Sequence, residues 1–93
     1  MRFEFKRSFD RSLKSLQSVA RSEDLKRVIR KFIFSIENKE PFAHGFGLKK
    51  LKGNYYEIRS GLYDRIVFRR RDDLIEFVLV GDHNDIKRFL KLI

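Results

Sequence analysis

The spacing of apolar residues switches between period two and the helical period along this chain. Arg2-Phe3-Glu4-Phe5-Lys6 alternates, with Phe3 and Phe5 on one side, and predicts a short first strand. Phe9, Leu13, Leu16 and Ala20 then recur at steps of four, three and four, which is one face of a helix. Ser8 is the expected N-cap, and Asp10 sits in the first turn, where the helix dipole favours an acid. Ser22 restarts the pattern ahead of Glu23 and Asp24. Leu25, Val28, Ile29, Phe32, Ile33 and Ile36 then form the stripe of an amphipathic helix. So short a break between two helices predicts an antiparallel hairpin.

A loop from about Asn38 to Asn54 follows, holding Pro41, Gly45, Gly47 and Gly53, and a loop this long in a small domain is often functional. Its glycines are not followed by the Gly-Lys-Ser/Thr of a phosphate loop. Alternation then returns. Tyr56 and Ile58, Ile66 and Phe68, and Ile75, Phe77 and Leu79 fall on one face of three strands. The opposite face takes Tyr55, Glu57 and Arg59, then Arg65, Val67 and Arg69, then Glu76, Val78 and Val80. Ser60-Gly61-Leu62 and Asp72-Asp73 read as the two turns. Ile86, Phe89, Leu90 and Ile93 describe a terminal helix, with Asn84 its expected cap. The expectation is one α+β domain over residues 1–93, in the order β-α-α-β-β-β-α. Its antiparallel sheet carries the helices, the hairpin included, on one face.

Composition narrows the function. The 93 residues hold 22 Lys and Arg against 13 Asp and Glu, a net charge of +9, which favours a polyanionic or acidic partner. The plainer account of that charge is a solvated surface. Ten phenylalanines help to supply a core, and the absence of cysteine excludes disulfides and thiolate metal sites. No apolar run reaches the roughly 18 to 20 residues of a membrane span, and Glu4, Lys6 and Arg7 interrupt the start too early for a secretory signal. A cytoplasmic protein without membrane contact is expected.

Catalysis by cysteine is excluded by composition, and no Gly-x-Ser-x-Gly elbow is present. His44 and His83 lie far apart and form no ligand pair with each other, so a resident metal is not expected. Phosphodiester chemistry remains. RNA cleavage needs the 2′-hydroxyl deprotonated, the pentacoordinate phosphate stabilised and the leaving 5′-oxygen protonated. Lysine and arginine can supply the charge, and histidine is a residue type suited to moving the proton. Lys49, Lys50 and Lys52 stand in the loop, Arg59, Arg65 and Arg69 on one sheet face, and His83 at the end of the last strand. Each also has a purely structural reading. Arg59 and Arg65 can pair with Glu57 and Glu76 across the sheet, Arg69-Arg70-Arg71 can balance Asp72-Asp73, and His83 can start a helix by bonding Asp85. His44 is left outside the core site. Tyr55 and Tyr63 are free to stack on bases, whereas Tyr56 belongs to the core face.

In this order, Leu51-Lys52-Gly53, Tyr56-Glu57-Ile58-Arg59, Tyr63-Asp64-Arg65-Ile66-Val67-Phe68 and Val78-Leu79-Val80-Gly81-Asp82-His83 resemble the RelE/ParE superfamily of type II toxin–antitoxin toxins, in its RelE/YafQ-like branch. The N-terminal strand and helical hairpin fit as well. The resemblance implies a metal-independent endoribonuclease that cleaves mRNA, typically in the ribosomal A site, and that an antitoxin neutralises; no cofactor is expected, and a monomer is the default for the free protein. Carried over, Lys49 and Lys52 match the loop lysines, Arg59 the arginine that holds the phosphate, and Arg65 the Tyr-Arg arginine. His83 matches the histidine of a Gly-x-His-x-Asp ending. Lys50, Arg69 and Arg70 are candidates for binding RNA beside them. Two departures stand out: Asp64 separates Tyr63 from Arg65, and the terminal helix has phenylalanine but no tyrosine. The alternatives are a gyrase-directed protein of the ParE branch, which would need no His83, and a non-catalytic RNA- or ribosome-binding module.

Overall fold

The computed structural model describes residues 1–93. Its elements are β1 (Arg2–Phe5), α1 (Arg7–Lys14), α2 (Val19–Glu37), β2 (Lys49–Lys50), β3 (Tyr55–Ser60), β4 (Asp64–Arg71), β5 (Leu74–Gly81) and α3 (His83–Leu90). The five strands form one sheet in the order β1-β5-β4-β3-β2. The α+β class and the expected order hold, with one strand added inside the loop. The sheet is mixed rather than antiparallel, because β1 runs parallel to β5, Phe3 facing Ile75 and Phe5 facing Phe77. A parallel pair needs a long crossover, and here every other strand and the helical hairpin lie between its two members. No helix is long and apolar enough to cross a membrane.

The main core lies between the hairpin and one face of the sheet. Phe9, Leu25, Ile29 and Phe32 of the helices meet Ile58, Ile66, Phe68, Ile75, Phe77 and Val80. Phe32 is its hub, with ring centroids 5.1 Å from Phe68, 5.4 Å from Phe46 and 6.2 Å from Phe77. Val80 in this set corrects the alternation read from the sequence. Val67 faces Leu79 but Phe68 faces Phe77, so Val78 is an extra residue on β5. One extra residue reverses every side chain beyond it. Val80 therefore turns into the core and Leu79 to the opposite face. Where β1 stops, α1 takes over the edge. Ser8 Oγ donates to the Val78 carbonyl at 2.6 Å, and Ser12 Oγ accepts from the Val80 N–H at 3.0 Å. Two backbone groups freed by the bulge are thereby satisfied.

The caps differ from those expected. Ser8 is spent on the sheet edge, and α1 starts after Lys6 with no side-chain cap. Ser18, not Ser22, caps α2 by accepting from the Arg21 N–H, after Gln17 breaks the chain with φ 55°. Asp82, not Asn84, caps α3 in a reciprocal box with Asp85, each carboxylate accepting a backbone N–H of the other residue at 2.9 Å. This last helix lies on the sheet face away from the hairpin, not beside it. Phe89 meets the Tyr55 ring edge-on at 5.3 Å, and Ile86 and Val67 are buried outside the main core. The close approach requires Gly81, where an added Cβ would fall 2.7 Å from the Cβ of Asp85.

Candidate functional site

Alternation on β3 and β4 puts Arg59, Glu57 and Tyr55 on the α3 side of the sheet, facing Arg65, Val67 and Arg69 in register. Arg65 in turn faces Gly81, the last residue of β5. The row Arg59–Arg65–Gly81 therefore runs across three strands to the point where α3 begins. His83, its first residue, is exposed there. A cleft of about 240 Å³ forms at this corner, lined by Leu62, Tyr63, Arg65, Asp82, His83 and Asn84.

The two arginines are held differently. Glu57, only 6% exposed, forms an ion pair with Arg65, its Oε2 lying 3.0 Å from Nε. Arg65 Nη1 also lies 3.4 Å from the carbonyls of Leu62 and Asp64. Its charge is offset and its plane is fixed. Arg59 makes no ion pair, and its stem packs on Gly47, where a Cβ would lie 3.0 Å from Cδ. The loop before β2 delivers that glycine. Phe42 and Phe46 anchor the loop against Phe32, and the Phe46 carbonyl accepts from the Arg59 N–H at 2.9 Å. Arg59 is thus the uncompensated cation of the row.

The other expected residues are more dispersed. Lys49 is exposed and faces Glu57 in register, one row from Arg65. Lys52 donates to the Ile93 carbonyl at 2.5 Å, at the far end of α3 from His83. Eight helical residues separate those ends, roughly 12 Å. Arg69 shares the face but sits four residues along β4 from Arg65, about 13 Å, with its guanidinium 5.8 Å from the Tyr55 ring centroid. Arg70 points the other way, over Phe42 at 4.2 Å, and Lys50, opposite Tyr56, also alternates to the hairpin side. Lys50 and Arg70 stand apart from the cleft for one reason: neighbouring strand residues face opposite sides. His83 makes no bond to Asp85, whose carboxylate serves the cap and Arg88.

Three contributors went unassigned in the sequence reading. Glu57 entered only as a possible partner of an arginine; its burial beneath the row needed the register. Asp64 is buried and bound by Arg21 of α2, Nε to Oδ2 at 3.1 Å and Nη2 to Oδ1 at 2.5 Å, across 43 positions that no periodicity connects. That carboxylate raises the Arg21 pKa and ties the β3–β4 turn to the hairpin. Asn84, expected as a cap, instead lines the cleft. The Asp82 carboxyl is held below the usual carboxylate range, chiefly by the backbone N–H of Asp85, so it remains an anion committed to the cap.

No protein-family model matches the sequence, and no curated protein matches it. Solved structures do. A chain of the RelB–RelE antitoxin–toxin complex from Methanococcus jannaschii is 28% identical, with a TM-score of 0.67 over 92% of this chain and 96% of that one. A chain of the DinJ–YafQ complex from E. coli is 17% identical, with a TM-score of 0.69 over 92% and 98%. The YoeB dimer from Staphylococcus aureus is 21% identical, with a TM-score of 0.66 over 89% and 97%. Each likeness spans nearly the whole of both chains. The fold is that of the RelE/ParE superfamily of toxin–antitoxin toxins.

Proposed function

We propose that this protein is the toxin of a toxin–antitoxin pair, in the cytoplasm, and that it cleaves mRNA on the ribosome. The observation that carries the reading is the corner where Arg65 and His83 line one cleft beside the unpaired Arg59. A phosphodiester seated there meets the open side of Arg59 and the outward edge of the Arg65 fork, both matched to phosphate oxygens. The 2′-oxygen attacks phosphorus, the bond to the 5′-oxygen breaks, and one proton leaves the nucleophile as another reaches the leaving group. His83 is the side chain in the cleft that can move a proton. Charge on the five-coordinate phosphate falls to Arg59 and Arg65, with Lys49 one row away. Lys52, beyond the far end of α3, belongs to a phosphate further along the strand.

The antitoxin is read as an acidic, amphipathic partner, because a body of net charge +9 offers it complementary surface. The test is purified protein in a reconstituted translation reaction, with mRNA ends mapped by primer extension. Discrete new ends are expected only when ribosomes are present. They are lost in Arg59→Ala and fall at least about a hundredfold in His83→Ala, the usual scale of general acid–base catalysis. Intact mRNA with translation continuing would overturn the nuclease and redirect attention to gyrase.

A further inference from the structure

The cleft has room beside the reacting groups, and the residues there are not needed for the chemistry. Tyr63 is 75% exposed, whereas the other two tyrosines are occupied. Tyr56 stacks on Phe68 in the core, with centroids 5.6 Å apart and planes 16° apart, and Tyr55 is covered by Phe89. Exposure of an aromatic ring on a turn usually comes with mobility. Here the turn is fixed at both sides. Ser60 and Asp64 are buried, Asp64 is held by two bonds from Arg21, and the carbonyls of Leu62 and Asp64 face the Arg65 guanidinium. A flat ring is therefore presented from a rigid base next to Arg65 and His83. Across the same cleft stands Asn84, exposed and with its side-chain amide making no hydrogen bond within the protein.

We propose that Tyr63 and Asn84 form a nucleobase subsite: Tyr63 stacks on the base next to the bound phosphate, and Asn84 reads that base's edge. The subsite rests on the RNA-cleaving function proposed above and adds its base specificity. Any base can stack on tyrosine, so Tyr63 supplies affinity. A side-chain amide sets a donor beside an acceptor, which match the N7 and N6 of adenine, so Asn84 supplies preference. The acid in the cleft, Asp82, is already engaged by the helix cap and does not compete for the base.

Binding of fluorescently labelled A-hexamer and U-hexamer RNA, followed by anisotropy at low salt, tests this without requiring cleavage. Tyr63→Ala is expected to weaken both hexamers about tenfold, a loss that Tyr63→Phe restores because the ring alone stacks. Asn84→Ala is expected to bring the A-over-U preference close to one while leaving U-hexamer affinity unchanged. Wild-type affinity in Tyr63→Ala overturns the subsite. Absence of measurable hexamer binding at low salt overturns it too. The two readings fail separately. Hexamer discrimination without ribosomal cleavage removes the nuclease and keeps the subsite. Unchanged cut sites and rates in both variants remove the subsite alone.

Discussion

Glu57, Asp64 and Glu76 are carboxylates that the sheet withdraws from water, and each is held by a base from a different part of the chain. Glu57 is bound by Arg65 on the next strand, Asp64 by Arg21 of the hairpin, and Glu76 by Lys6 at 2.7 Å and Arg71 at 3.3 Å. Glu76 is the most buried, at 1% exposure. The hydrogen bond from Lys6, with the charges of Arg71 and Arg69 behind it, outweighs the cost of burial and lowers its pKa. A carboxyl whose folded pKa lies below its unfolded one contributes stability above the unfolded value, about 4.3 for glutamate. That contribution is lost as pH falls through the folded value. Glu76→Gln should therefore cost about 2 kcal/mol at pH 7, the scale of a charge-assisted hydrogen bond. Its melting curve should approach that of wild type progressively as pH falls below about 4.3, the unfolded value. A deficit constant from pH 7 to pH 3 would mean that packing, not charge, is what glutamate contributes. Alternation in the sequence assigned Glu76 to the cationic face, but the assignment of its partner to Arg59 or Arg65 depended on register, and the partners are Lys6 and Arg71.

At the scale of elements, β5 and α3 together place His83, and their junction reads Gly81-Asp82-His83-Asn84-Asp85. Each residue there has a mechanical part. Gly81 admits the helix, Asp82 and Asp85 close its capping box, and His83 is left as the first helical residue at the cleft. Asp82→Ala should destabilise the protein, as lost N-caps do, and reduce cleavage by more than that stability loss explains. Thermal melts beside primer-extension rates separate the two effects. The bulge at Val78 sets the register that brings this junction home. Val80→Ala should cost about 2 kcal/mol, as buried truncations do, and more than Leu79→Ala, since Val80 is 3% exposed and Leu79 only half-buried. An unbulged strand reverses that order, so denaturant midpoints of the two variants decide it. The sequence showed β5 and α3 clearly, because period two and the helical stripe are local signals. It concealed the bulge, since Leu79 and Val80 are both apolar and either fits the core. It concealed the cap too, because Asp82, Asn84 and Asp85 are all capping residue types within one turn.

Over the whole molecule, the net charge of +9 leaves open whether the proposed RNA affinity is diffuse or belongs to one surface. The structure makes that question answerable, because its cations are unequally neutralised. Arg65 is balanced by Glu57 and Arg21 by Asp64, while Arg59 on the α3 face and Arg30 on the hairpin have no acidic partner. Every cation that meets a phosphate releases bound counterions, so log affinity for single strands falls with log salt by about 0.7 per contact. Arg59→Ala should reduce the steepness of that line by about 0.7 for hexamer RNA. Arg30→Ala removes the same formal charge from the opposite side and should leave the slope unchanged. Equal losses in both variants would mean that RNA sees only the molecule's overall charge, and the row from Arg59 to His83 would lose its claim as the binding site. A loss confined to Arg59→Ala would place the RNA backbone on the α3 face. There His83, the residue proposed to move the proton, and the exposed ring of Tyr63 line one cleft beside the phosphate that Arg59 would hold.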